Sequence, residues 1–287
     1  MTTPQTLTQF TISYDAKGEL QSHTINAGDL GNAILGMNEL ITNAAKIVSN
    51  GSSEAALKVI APAKEGSLEI IFAILADPVT TVEVMKNVGI GVATAITSTA
   101  TAMGVLDRLK DKKIDRVVLH KNTGKATIYS GDETIETSAK VANLVSSKDI
   151  RQALHKVIQA PLKGRESAAI KFVTENETTE LGEAEIAAFN PIRSDIPEKE
   201  TTTSIQRIVR FTKLNFNSKR GWTVQSGDGF EASVTIKDEG FLNRVLANEE
   251  AFQKDKRYTV EIEKTETVNI SGTHVKYAII RVINEID

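Results

Sequence analysis

The chain has 287 residues, 40% of them hydrophobic and 25% charged, a composition that supports folded domains and excludes global disorder. That length suits two domains better than one. A net charge of −3 argues against a chain that is basic throughout, and the absence of cysteine excludes disulfides, thiolate catalysis and thiolate metal sites.

The first residues, MTTPQTLTQFTISYD, lack the basic and apolar regions of a signal peptide, so a cytoplasmic protein is expected. Thr8–Tyr14 alternates as a strand, Asp15–Gly18 reads as a turn, and Glu19–Ile25 as a returning strand. Asn26 is placed to cap a long helix whose apolar stripe is Leu30, Ile34, Met37, Ile41, Ala44 and Val48. Ala56–Ala61 and Ser67–Leu75 follow as a hairpin. Its second arm is apolar on both faces apart from Glu69, as in a central strand covered on both sides.

Asp77-Pro78 opens the next helix. It leads into Asn87–Leu106, a run of 20 residues without a charge. The run is long enough to cross a bilayer, but its glycines and threonines make it poorly hydrophobic. Gly91, Ala95 and Thr99 fall four apart, so small side chains line one helical face and favour close helix packing. Gly89 and Met103 extend that surface, and Lys110, Lys112 and Lys113 follow it as a basic edge suited to an anionic surface. Gly89-Ile-Gly91 imitates a dinucleotide fingerprint, but the next strand ends in His-Lys rather than an acid.

Ile114–His120 and Lys125–Tyr129 read as a hairpin, Ser138–Val145 and Asp149–Gln159 as helices, and Ala168–Thr174 as a strand. The acidic stretch Thr174–Glu185 reads as a solvated turn. Asn190–Thr203, with Pro191 and Pro197 ahead of a polar tract, reads as a linker. Beyond it, Ile205–Phe216, Gly221–Gln225, Phe230–Ile236, Arg257–Thr267 and His274–Ile283 pattern as strands, with one helix at Asp238–Leu246. Five strands and one helix suggest a small β-barrel or open sandwich. The expected fold class is therefore α+β. Residues 1–190 form an α+β domain with an apolar helical segment at 77–111, residues 191–203 a linker, and residues 204–287 a small barrel-like domain.

Ser204–Val224 carries Arg207, Arg210, Lys213, Lys219 and Arg220 without one acidic residue, interleaved with Phe211, Phe216 and Trp222. Cations beside aromatics are the pattern of single-strand nucleic-acid binding. The same pattern arises where a barrel strand turns its aromatics inward and its charges to water. The four histidines, His23, His120, His155 and His274, stand apart from one another without metal-ligand spacing. No catalytic motif, metal site or cofactor site is expected.

The phrases HTINAGDLGNAILGMNELITNAAKIVSNG, KVIAPAKEGSLEIIFAIL and FTKLNFNSKRGWTVQSGDGFEASVTIKDEGFLNRV together resemble a group of bacterial two-domain proteins of uncharacterised function. The resemblance implies an intact two-domain member with a central apolar stretch, and a place among accessory genes of mobile or defence loci. It implies no activity. The resulting expectation is a non-enzymatic accessory protein that self-associates as a homo-oligomer, or engages a membrane surface, through residues 79–106. The C-terminal domain would be its recognition module, for an unidentified protein partner. The alternative is nucleic-acid binding through Arg207, Arg210, Lys213, Lys219, Arg220 and Trp222.

Overall fold

The computed structural model describes residues 6–22, 24–61, 68–110, 112–190, 198–253, 255–269 and 272–286. Among them the chain is mixed α/β, with two sheets and seven α-helices. It divides into two compact units: unit 1 comprises Met1–Val117 and Lys125–Pro197, unit 2 Val118–Gly124 and Glu198–Asp287.

Unit 1 begins with β1 (Thr6–Asp15), whose alternation buries Phe10, Ile12 and Tyr14. Helix α1 (Ala27–Val48) starts at Asn26, whose side chain accepts a hydrogen bond from the Gly28 amide at 2.8 Å. Its inward stripe is Met37, Leu40, Ile41, Ala44 and Val48. Strands β2 (Ala56–Ala61) and β3 (Leu68–Ala76) form the expected antiparallel hairpin. Helix α2 (Pro78–Val88) is capped by Asp77, which accepts from the Thr80 amide at 2.9 Å and the Ser53 hydroxyl at 2.6 Å. Next come α3 (Ala102–Leu109), the first two residues of β4 (Arg116–His120), whose other three belong to unit 2, then β5 (Lys125–Ser130) and β6 (Glu133–Ser138). Helix α4 (Ala139–Ser146) leads to α5 (Lys148–Leu154), which loosens into a π turn over His155–Gln159. The unit ends with β7 (Ala169–Val173), β8 (Thr178–Leu181) and the short α6 (Glu183–Ile186).

Its sheet has the order β2-β3-β1-β7-β8, with every neighbouring pair antiparallel. Strand β3 is central on its segment, between β2 and β1. The Phe10 and Phe72 rings stack across it at 5.5 Å. The buried Tyr14 hydroxyl donates to the Val157 carbonyl at 2.8 Å, tying the sheet to the π turn.

Two expectations for this unit are corrected. Glu19–Ile25 is not a strand: Glu19–Ser22 is a 3-10 turn, because both edges of β1 are already taken by β3 and β7. Nor is 77–111 one helical segment. Gly89 closes α2 in the left-handed region at φ 108°, Gly91 follows at 62°, and Thr101 caps α3, so residues 89–101 run as turns. Three elements escaped the pattern reading, α6, β6 and β8. The last occupies the middle of the acidic stretch expected to be a solvated turn.

Unit 2 is built on β9 (Glu198–Lys213), β10 (Trp222–Ser226), β11 (Glu231–Ile236), α7 (Glu239–Leu246), β12 (Arg257–Asn269) and β13 (Gly272–Ile286). Residues 191–197 of the expected linker lie outside the described residues, but its last six, Glu198–Thr203, are strand. Of these, Lys199–Thr203 pair with Val268–Lys264 of β12. Strand β9 pairs with β12 and β10, β10 with β11, β11 with β13 in parallel, and β13 with β12. Within the unit, Asn122 also reaches β9, accepting from the Ser204 amide at 2.7 Å. The core holds Val209, Trp222, Val224, Val234, Ile236, Phe241, Tyr258, Val260, Ile262 and Ile279. Six rings, those of Phe211, Phe216, Trp222, Phe241, Phe252 and Tyr258, meet edge to face or stacked at centroid separations of 5.1–6.3 Å.

Candidate functional site

The two ends of the apolar run are interior to unit 1, while Ala93, Thr94, Thr97 and Ala100 in its middle are exposed. Val88, Ile90, Ala95, Ala102, Met103, Val105 and Leu106 are all at most 2% exposed, and Gly89 is buried. Because residues 89–101 are turns, the four-residue spacing of Gly91, Ala95 and Thr99 does not place them on a helical face. Gly91 instead abuts the turn before β8. A Cβ there would lie 2.1 Å from Thr174 Cγ2. The Thr179 hydroxyl donates to the Gly89 carbonyl at 2.8 Å and accepts from the Val92 amide at 2.8 Å. The Glu177 carboxylate accepts from the Ala93 amide at 2.8 Å. Thr99 bonds through its carbonyl, which accepts from the Thr137 hydroxyl at 2.5 Å. Val79 and Val82, at 69% and 64% exposure, are the run-up residues that stay in water. No helix among the described residues is long and apolar enough to cross a membrane. The basic edge carries its own acids: Lys110 pairs with Asp107, and Lys112 with Glu133 at 2.8 Å. Arg108 joins Glu133 at 2.9 Å, so the two cations hold that carboxyl below its usual range through hydrogen bonds.

The basic stretch of unit 2 separates into three environments. Arg207 lies on the inward side of β9 with Val209 and Phe211. Its guanidinium stacks over Phe230 at 4.6 Å and pairs with Asp228, whose carboxyl is held down to about 2 first by the Ser226 hydroxyl and then by Arg207. Arg207 Nε is buried without a hydrogen-bond partner. Arg210 faces out, donating to Gln225 Oε1 at 2.5 and 3.1 Å and reaching Asp255 at 3.5 Å. Lys213 is the last residue of β9, and Lys219 and Arg220 belong to the connection from β9 to β10. They are exposed, and no acidic residue lies between Lys213 and Gly221.

Trp222 cannot stack a ligand's ring face to face from this position. It is fully buried, and its indole N–H donates to the Ser218 carbonyl at 2.8 Å. Truncating such a side chain costs about 3–5 kcal/mol, so its first role is structural. Phe216, at 52% exposure, is the aromatic that remains on the surface.

Local hydrogen bonds fix the loop that carries these groups. Asn215 donates from its amide to the Arg220 carbonyl at 2.8 Å and accepts from the Asn217 amide at 3.1 Å. Ser218 Oγ accepts from the Arg220 amide at 3.2 Å. Gly221 takes φ 85°, where a Cβ would also meet the Asn215 side chain at 3.1 Å. The loop and α7 enclose a cavity of about 310 Å³. Phe216, Trp222, Leu242, Val245 and Leu246 form its apolar wall, and Asn217, Lys219, Glu239 and Asn243 bring polar groups to it. Lys219 and Glu239 pair across the lining at 3.4 Å.

The structure thus brings Lys219 and Trp222 to one cavity, puts Arg220 on the same loop and Lys213 at the end of the strand that leads into it, and leaves Arg207 and Arg210 on acidic or amide partners. The pattern reading took Leu242 as an inward core residue and gave Asn243 and Leu246 no role. The signal for a shared face was present, since Leu242 and Leu246 are one turn apart on a helix whose Phe241 and Val245 already fill the core. Among the described residues no three His, Cys, Asp or Glu side chains converge as a metal site requires.

Comparison with curated proteins finds no match to the chain. Residues 10–190, which cover most of unit 1, match the family model DUF7946, a domain of unknown function, and the chain belongs to that family.

Proposed function

We propose that the chain is a non-enzymatic binding protein whose unit 2 is a small closed barrel recognising single-stranded nucleic acid. The connectivity carries this reading. The strand pairings close a circuit β9-β10-β11-β13-β12-β9, with β11 and β13 parallel and α7 lying between β11 and β12 in the chain. That circuit supports reading unit 2 as an oligonucleotide-binding barrel, a five-stranded Greek-key barrel whose second and third strands and adjoining loops hold oligonucleotides or oligosaccharides. Connectivity alone names no ligand. The acid-free stretch Lys213–Gly221, leading from the first strand of the circuit to the second, favours a polyanion over a neutral sugar.

Lys213, Lys219 and Arg220 are the residues assigned to phosphate, and Arg210 is already engaged by Gln225 and Asp255. Arg207 is assigned to the fold, through Phe230 and Asp228. The test is fluorescence anisotropy of a labelled single-stranded oligonucleotide against the whole chain, from 50 to 200 mM salt. Binding that weakens with salt, and a loss of tenfold or more in the Lys213→Glu/Arg220→Glu double variant, are expected. Absence of binding at 50 mM salt, or binding indifferent to the double reversal, refutes the reading.

A further inference from the structure

We infer that the cavity between the Asn215–Lys219 loop and α7 holds one unstacked base of the bound strand, an inference that rests on the nucleic-acid reading above. Its volume of about 310 Å³ lies in the range of small-ligand pockets. Large apolar side chains stand in water around this concavity, Phe216 at 52% and Leu246 at 67% exposure. Internal hydrogen bonds of Asn215, Ser218 and Trp222 hold the loop before any ligand arrives, so little ordering remains to be done on binding.

The polar groups in the lining distinguish a base from an aliphatic side chain. Asn217 and Asn243 bring carboxamides, each with a donor and an acceptor, the pairing that reads base edges. A leucine-like occupant would desolvate those amides without replacing their water. The cations sit where the sugar–phosphate chain of an inserted base must pass. Lys219 lines the cavity, and Arg220 is the next residue on the loop. Bases splayed from a single strand onto an aromatic side chain are a common mode of recognition, and Phe216 supplies that ring.

Trp222 is the only tryptophan of the chain and lines the cavity, so its fluorescence reports occupancy. The intact chain is titrated with a 12-mer oligonucleotide, with the same backbone lacking its bases, with adenosine monophosphate, and with acetyl-leucine amide. The expected result is a Trp222 signal from the 12-mer and the mononucleotide, and at least tenfold weaker binding of the abasic strand. Leu246→Gln and Asn243→Ala, both at exposed positions, should weaken the intact strand several-fold and leave the abasic strand unchanged. If the abasic strand binds as tightly as the intact one, the base pocket is refuted and the nucleic-acid reading stands. A Trp222 response to acetyl-leucine amide alone also refutes it, assigning the cavity to an apolar side chain. If neither strand binds at low salt, both fail together.

Discussion

Gly104 offers the sharpest test of where the apolar run sits. It lies inside α3, where replacing glycine by alanine ordinarily stabilises a helix by about 1 kcal/mol. Here an added Cβ would lie 2.0 Å from the Ser98 carbonyl oxygen and 2.4 Å from that of Ala95. Both obstacles are backbone, which cannot rotate aside as a side chain can. The Ala95 carbonyl is also held in place, accepting from the Thr101 hydroxyl at 2.6 Å, and the same hydroxyl caps α3 by accepting from the Gly104 amide at 3.0 Å. Moving the loop therefore strains the helix cap. Overpacking of this kind costs about 3 kcal/mol at the upper end of the usual range. Set against the propensity gain, Gly104→Ala should lose about 2 kcal/mol, or roughly 4–8 °C in melting temperature. Gly31→Ala is the control. Gly31 also lies in a helix, and a Cβ added there would meet nothing within 4 Å, so that variant should gain up to about 1 kcal/mol. Urea titration followed by circular dichroism measures both. A Gly104→Ala variant as stable as the parent refutes the interior placement of the run's C-terminal end.

Two further predictions concern pH. The Ser53 hydroxyl, and then Thr80, hold the Asp77 carboxyl down to about 2, so its contribution is complete above the ordinary carboxyl range and lost as pH falls through about 2. Acid titrations of Asp77→Asn should show no stability loss from this site between about pH 4 and 2, and an unchanged acid limb refutes the assignment. In unit 2, burial and then a hydrogen bond that the protonated group donates to the Glu285 carboxylate raise the Glu250 carboxyl, whose side chain is 3% exposed beside Arg244. A raised carboxyl favours the folded state while protonated, so stability should fall as pH climbs above the ordinary glutamate range. Glu250→Gln should flatten that decline in thermal melts, and a slope identical to the parent's sinks the argument.

The sequence made burial legible more readily than geometry. Composition says that Asn87–Leu106 avoids solvent; Val88, Ile90, Met103 and Leu106 do, whereas Ala93, Thr94, Thr97 and Ala100 are exposed. The error lay in reading spacing as a helical face. Small residues four apart look the same in a helix and in a chain of turns, and what decides is backbone: Gly89 and Gly91 take positive φ. The acidic stretch erred in the other direction. Glu177 and Thr179 are polar, and so resemble a solvated turn, yet they receive the Ala93 and Val92 amides of that same run. A long-range acceptor has no local signature, because its partner is more than 80 positions away. In unit 2 the strand pattern was readable because alternation is local, whereas the closing β9–β10 and parallel β11–β13 pairings were not.

The cations of unit 2 divide by whether an acid already occupies them. Lys237 pairs with Glu263 at 2.7 Å, Lys256 with Glu285 at 2.5 Å and Lys264 with Glu266 at 2.6 Å, while Arg207 and Arg210 meet Asp228 and Asp255. A phosphate approaching any of these competes with a carboxylate for the same donor. Exposed pairs are individually worth at most about 1 kcal/mol, but the repulsion between phosphate and the displaced acid remains after the swap. The stretch from Lys213 to Gly221 contains no such acid, and of its three cations only Lys219 has a carboxylate partner among the described residues, Glu239, at a long 3.4 Å. The near-neutral charge of the chain therefore does not oppose the proposed nucleic-acid binding, which is assigned to the three cations of this stretch. Three phosphates neutralised on a single strand give a log-affinity against log-salt slope of about −2. A slope of about −5 or steeper in the anisotropy titration would mean that the paired arginines and lysines also bind phosphate, and the division between engaged and available cations would be wrong.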